Sequence, residues 1–249
     1  APPDTGQSWM AGDITITVLT LNLDKILCSS YLGGNSLDYV TSFSFGFDDK
    51  IILVGGTYSG NFPVTEDAYK KYFSGKKDGF LTIVNKNLSK IFYSTYIGGD
   101  STDQVNSVIV SDAGNLILAG ETKSPDFPVT PDALYGSYLG GRSDGFIMKF
   151  DLTTNKPAYS TFLGGSKSDF MNYSALTGDQ KFVLVGTSGS KDFPVSKDAL
   201  FPSITGGLDL VILILDKDMK KIEFSTFGGG TKQIMMIPNA VYYKSGKLI

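Results

Sequence analysis

Apolar and polar residues alternate in short runs along most of this chain, the period-two pattern of strands with one face in a core. Residues 13–22 set Ile14, Ile16 and Val18 against threonines, and residues 39–45 mix aromatic, β-branched and polar positions. Residues 51–56 are nearly all apolar and end in Gly55-Gly56, which reads as a strand buried on both faces. Strands follow at 79–85 and 90–96. The same order returns at 105–110, 116–120, 144–150 and 157–162, and again at 171–176, 182–186, 209–215 and 221–227. Residues 235–243 and 247–249 begin a further first strand and a short second one. Residues 1–12 read as loop, punctuated by Pro2, Pro3, Gly6 and Gly12. No stretch carries a helical period.

The strands sit inside a repeat. Tyr93-Ser94-Thr95-Tyr96-Ile97-Gly98-Gly99 recurs as Tyr159-Ser160-Thr161-Phe162-Leu163-Gly164-Gly165. Two degraded copies begin at Cys28 and Phe224. The serines at 29, 94, 160 and 225 stand 65, 66 and 65 residues apart. A fixed period of this size marks a repeat architecture. Four short strands per repeat, with no helix, predict an all-β chain: a β-propeller of four-stranded antiparallel blades. The predicted blades are 38–97, 103–163 and 169–228, within a propeller domain of residues 13–249. A fourth is split between 13–32, which supplies its third and fourth strands, and 235–249, which supplies its first and second. Either this split blade closes a four-bladed ring, or the chain is a window on a larger propeller. In the ring the first strands, such as those starting near Val105 and Met171, line the axis.

Composition narrows the function. The chain has 249 residues, 41% of them hydrophobic, so a core can be buried. Its net charge of −3 gives no electrostatic footprint for nucleic acid. No apolar run approaches the length of a membrane span. One cysteine excludes an internal disulfide framework, and the absence of histidine removes the usual general base and commonest metal ligand.

Four motifs recur in one order at one spacing: the Tyr-Ser-Thr-Tyr-Ile-Gly-Gly stretch at 93–99, Asp112-Ala113-Gly114-Asn115 before the strand at 116–120, the loop Asp126-Phe127-Pro128-Val129-Thr130-Pro131-Asp132-Ala133-Leu134, and Asp144-Gly145-Phe146. Together they resemble the SBBP family, the "seven-bladed β-propeller repeat" of bacterial and archaeal extracellular proteins. The resemblance covers nearly the whole chain from Asp13. It implies a propeller and a secreted or surface location, extracellular, cell-surface or periplasmic, and brings no catalytic residues with it. The chain departs from the pattern in its last copy, where Gly228 replaces the aliphatic residue and no aspartate stands near Ile234. It also holds about four repeats where the family name expects seven.

Candidate chemistry is sparse. Asp38, Asp103 and Asp169 precede the first strands; Asp13, Asp78, Asp144 and Asp209 precede the third. One calcium per blade is conceivable from carboxylate donors, but the dense Asp-x-Asp spacing of a calcium loop is missing. Aspartates that accept backbone N–H bonds are the preferred reading, so no cofactor or metal is expected. The Gly-Gly pairs precede no helix and are not phosphate loops. They are expected where a side chain would clash. The phenylalanine of the Phe-Pro-Val loops is expected to plug each loop onto its blade. Cys28 aligns with Tyr93, Tyr159 and Phe224, which predicts a small buried hydrophobe. Among acids outside the repeat, Glu66, Asp100, Glu121 and Glu223 are scattered, so a carboxylate-based glycosidase is the weakest of three readings. Sequons stand at Asn87 and Asn172.

The leading expectation is therefore no enzyme but a protein-binding, adhesion or assembly scaffold at the cell surface, whose partner is another protein or a second copy. The alternative is a glycan-binding propeller. Connections within a meandering blade alternate between its two ends, so the long second-to-third loops and the blade-to-blade links share one face. Loops on a rigid scaffold carry function. The expected contact residues are Tyr69, Tyr72, Phe73, Tyr135, Tyr138, Arg142 and Phe201, joined by Trp9 if the N-terminus reaches that face.

Overall fold

The computed structural model of the chain describes residues 12–111 and 115–229, together with the backbone of 243–244 and 247–248. Trp9, the turn at 112–114 and most of the expected strand at 235–243 lie outside these residues. The described chain is all-β. Its one helical element is a short 3-10 turn, Phe47–Asp49. No helix among the described residues is long and apolar enough to cross a membrane.

The chain divides into two compact units, Ala1–Val105 and Asn106–Ile249. The first contains the hairpin β1 (Ile14–Leu19) and β2 (Ile26–Leu32), and the sheet β3 (Asp38–Phe45), β4 (Lys50–Thr57), β5 (Asp78–Asn85) and β6 (Ile91–Ile97). The second contains β7 (Asp103–Val110), which begins before the boundary, with β8 (Leu116–Thr122), β9 (Asp144–Asp151) and β10 (Lys156–Leu163). The sheet β11 (Asp169–Leu176), β12 (Phe182–Ser188), β13 (Asp209–Leu215) and β14 (Ile222–Gly228) follows, then the two-residue strands β15 (Tyr243–Lys244) and β16 (Lys247–Leu248). Each four-stranded sheet runs in sequence order, neighbour beside neighbour, through antiparallel ladders. The expected four-strand repeat is therefore seen three times, with β1–β2 as its third and fourth strands alone. The short strands β15 and β16 pair with each other.

The apolar runs explain the layers. Ile52, Leu53 and Val54 of β4, and Leu116 to Ala119 of β8, are buried along their whole length, as second strands covered on both faces must be. In the first unit Ile51, Leu53, Phe62, Phe80, Val84 and Tyr96 form one core with Ile14 and Leu32 of the hairpin. In the second, Ile117, Ile147, Leu163, Met171, Leu184, Val211 and Phe227 form another.

Two bulges recur. On the fourth strands the ladder skips Leu27, Phe92, Ala158 and Glu223. On β3 and β11 it skips Thr41 and Asn172. A bulge residue leaves the alternation and turns outward, which is why Glu223 is tolerated where the other copies have Phe92 and Ala158. First strands also meet side by side. Thr41 donates to the Val105 carbonyl at 2.5 Å in the first unit. In the second, Asn106 donates to the Met171 carbonyl at 3.0 Å, and the Ser107 and Ser174 hydroxyls lie 2.7 Å apart.

Candidate functional site

The Tyr-Ser-Thr stretch is a mooring for the long loop. The fourth strand is the outer edge of each sheet, and the loop after the second strand comes back along it. The Ser94, Ser160 and Ser225 carbonyls accept from the N–H groups of Thr65, Thr130 and Ser196, all at 3.0 Å. The Thr95, Thr161 and Thr226 hydroxyls accept from the N–H groups of Lys70, Tyr135 and Phe201 at 2.9, 2.8 and 2.9 Å. The strand N–H groups of Tyr96, Phe162 and Phe227 donate back to the carbonyls of the same three loop residues. Tyr93 and Tyr159 add their phenol oxygens to the N–H groups of Tyr69 and Leu134. The loop thus occupies the strand edge and removes it as a site of unwanted pairing.

The Phe-Pro-Val phenylalanine completes the mooring, as the sequence predicts. Phe62, Phe127 and Phe193 are each 2% exposed. Phe62 stacks at 4.6 Å on Phe80 and 6.2 Å from Tyr96; Phe127 lies 4.4 Å from Phe146 and 6.1 Å from Phe162; Phe193 lies 5.9 Å from Phe227.

The repeated aspartates fall into two structural sets. Asp38 accepts from the Thr57 and Ser59 hydroxyls and from the Gly34 N–H at 2.7 Å. Asp169 accepts from Ser190 and from the Gly165 N–H, both at 2.8 Å, and Asp103 from the Gly99 N–H at 2.8 Å. These brackets explain the Gly-Gly pairs. A Cβ on Gly164 would lie 2.7 Å from the Asp169 carboxylate, and one on Gly165 the same distance from Ser190 and Asp192. The third-strand set is bracketed from the turn just before it, Asp209 accepting from the Thr205 and Gly206 N–H groups and the Thr205 hydroxyl. Asp78 accepts from Ser74 N–H at 3.0 Å and pairs with Lys70 Nζ at 3.2 Å, and Asp144 accepts from Leu139 N–H at 2.5 Å. The second oxygen of Asp78, Asp144 and Asp209, and that of Asp169 in the first set, is buried without a hydrogen-bond partner. Desolvation pushes Asp78 up to about 6 and Asp144 up to about 7; the Lys70 ammonium holds the former lower. Among the described residues no three His, Cys, Asp or Glu side chains converge as metal ligands.

The expected contact residues divide. In the first unit Phe73 packs edge-on against Tyr96 at 5.9 Å, and Tyr69 is partly exposed with its backbone moored to Tyr93. In the second, Tyr138 packs edge-on against Phe162, also at 5.9 Å, and Tyr135 packs against the core. Phe73 and Tyr138 thus take one structural role in two repeats. Tyr72 is 81% and Phe201 51% exposed, and Leu200, which carries no signal in the sequence, is 75% exposed.

Arg142 stands elsewhere, at a cup of about 450 Å³ in the second unit. Its walls are Lys123, Arg142, Lys167, Phe170 and Leu208, beside Gly189 and Gly207. No carboxylate lines it. Lys167 and Arg142 come from the turns before β11 and β9, and Lys123 follows β8, so three sheet-end turns bring three cations to one mouth.

Glu66 and Asp100 are exposed in the first unit; in the second, Glu121 is half-buried on β8 and Glu223 pairs with Lys181 at 2.8 Å. Cys28 is only half-buried, its Sγ 3.6 Å from the Lys86 carbonyl. The buried hydrophobe expected there is not formed, because no described loop covers β2. Compared with models of known protein families and with curated proteins, the chain matches none.

Proposed function

We propose that the chain is a non-catalytic β-propeller of the SBBP type that serves as a protein-binding or assembly scaffold on the outside of the cell. The three meandering sheets and the bulged first strands meeting side by side support the propeller. So does the open side of β1. There Ile16, Val18, Phe43, Phe45 and Leu53 line an apolar groove of about 600 Å³, and Leu19, Phe43 and Phe45 are exposed. In this reading residues 235–249 close the ring as the missing first and second strands of the split blade. The ring then holds the long loops as a rigid platform.

The observation that carries the binding function is the contrast within those loops. Their repeated phenylalanines are buried, whereas Phe201 stands outward on backbone moored by main-chain and hydroxyl hydrogen bonds, Leu200 stands outward beside it, and Tyr72 stands outward two residues after the moored Lys70. Exposed aromatics on a preorganised backbone bind at low entropic cost, and such residues dominate interface hot spots. The partner is a protein, including a second copy. Sedimentation tests self-association, and affinity capture from a cell-surface fraction tests a foreign partner. In both, Tyr72→Ala with Phe201→Ala should abolish association and leave the melting curve unchanged. Association that survives both substitutions would sink the reading.

The cup at Lys123, Arg142 and Lys167 favours a second reading, binding of an acidic saccharide. Its cations suit a carboxylate, and Phe170 and Leu208 suit the apolar face of a ring. A glycan array with wild type and Arg142→Ala tests it: retention of uronates by wild type alone is expected, and no retention of any acidic glycan would dismiss it.

A further inference from the structure

The cup of the second unit stands on buried acid. Three strands start at its wall, each with an aspartate. Ser143, Ser168 and Leu208 line the cup, and Asp144, Asp169 and Asp209 follow them at the heads of β9, β11 and β13. The three acids are 0%, 0% and 1% exposed, and each keeps one carboxylate oxygen without a hydrogen-bond partner. The Asp169 N–H donates to the Ser143 carbonyl at 2.8 Å, which holds the heads of β9 and β11 together. At the mouth, Lys123, Arg142 and Lys167 are exposed and make no ion pair among the described residues.

Asp144 is the acid free to answer what enters the cup. In the first unit its counterpart Asp78 is tied to the Lys70 ammonium at 3.2 Å. In the second, Tyr135 holds the place of Lys70, on the same bond from its N–H to a threonine hydroxyl, and Asp144 makes no ion pair among the described residues. Burial first, and the Asp169 carboxylate after it, raise its carboxyl to about 7 against the N–H groups of Leu139 and Gly140. Asp192 acts in turn on Asp169. The other charged or titratable groups around it are Arg142 in its own turn, Lys123 next to its ladder partner Thr122, Lys167 before β11, and Tyr135 and Tyr138 of the long loop; β10 ends at Leu163 and adds none. We infer, on the second reading above, that the cup is a proton-linked site: it takes an acidic saccharide while Asp144 carries its proton and releases it as Asp144 ionises. The carboxyl belongs to the residue next to the wall, on the order of 10 Å from a ligand in the cup. At an effective dielectric constant of about 20–40, one such charge changes affinity roughly four- to sixteenfold. Affinity is full while Asp144 is protonated and falls as pH rises through its folded value; by reciprocity the bound anion draws a proton onto Asp144.

The probe is trigalacturonate, titrated into the intact chain by calorimetry at pH 5.5, 7 and 8.5. Binding should weaken roughly four- to sixteenfold from the lowest pH to the highest. At pH 7 the heat should depend on the ionisation enthalpy of the buffer, because binding takes up a fraction of a proton; this readout needs no variant. Asp144→Asn should bind equally at the three pH values and take up no proton, and Arg142→Ala should not bind at any of them. Binding that needs Arg142 but shows neither pH dependence nor proton uptake would overturn the proton link and leave the saccharide reading standing. So would a pH dependence that survives Asp144→Asn. No binding by wild type at any pH would overturn both.

Discussion

Asp144 should make the protein less stable in mild alkali than in mild acid. Its carboxyl is fully buried, one oxygen accepts from Leu139 N–H, and the other has no partner. Burial and the nearby Asp169 carboxylate raise it from the ordinary 3.8 to about 7. The native state therefore keeps a proton that the unfolded chain has already lost between about pH 4 and 7. Stability from this group is complete below the unfolded value and falls as pH rises through the folded one. With those two values, the loss between pH 5 and pH 8 is about 2–3 kcal/mol, since the two states differ by one proton up to about pH 7 and each pH unit of that window costs ~1.4 kcal/mol. Asp144→Asn imitates the protonated acid: its carbonyl can face Leu139, and a neutral amide puts no charge where the carboxylate oxygen is buried without a partner. The variant should lose that share of the pH dependence, and at pH 8 it should be more stable than wild type. Urea unfolding of both proteins at pH 5 and pH 8 measures the four free energies needed. An asparagine variant with the wild-type pH slope, or one less stable than wild type at pH 8, would refute the reasoning.

Lys70→Met should cost about 3 kcal/mol at pH 8, because the buried Asp78 carboxylate loses its ion pair, and less at pH 5, where Asp78 can take a proton; urea unfolding at the two pH values checks this. Phe127→Ala should cost about 3–5 kcal/mol for a fully buried ring, and hydrogen exchange should show the Thr130 and Tyr135 amides released from β10. Expressed in a glycosylating host, the secreted folded protein should carry glycan at Asn87, which is exposed in a turn, and none at Asn172, whose side-chain oxygen is buried on the β11 bulge; peptide mass spectrometry decides.

Strand positions are legible because a repeated alternation fixes them several times over: the pattern predicts 79–85 where Asp78–Asn85 form β5, and 51–56 where Lys50–Thr57 form β4. The plug role of Phe127 is legible too, since a phenylalanine beside a proline in a polar loop has few other uses. The double duty of Ser94 and Thr95 is not. Alternation tells which face a side chain takes, and nothing about a loop that returns from the second strand to pair with the fourth. The same blind spot hides the exposure of Tyr31 and Cys28, whose residue types match a buried strand although no described loop covers them. Leu88 and Met219 adopt left-handed backbone in the third-to-fourth turns. Sequence rules assign that conformation to glycine or asparagine, but here each side chain is held by the core below it. For the contact surface, residue type alone does not separate Tyr72 from Phe73, because only packing distinguishes a ring turned out from one turned in.

Ring closure is the claim on which the rigid platform depends, and amide exchange along β1 tests it most directly. With β2 as its only neighbour, β1 would bond alternate amides of Ile14–Leu19 and leave the others to solvent. A ring closed by residues 235–249 gives β1 a partner on each side. Residue-resolved exchange on the intact chain should then show every amide of β1 protected to a similar degree; slow and fast amides alternating along Ile14–Leu19 would contradict closure.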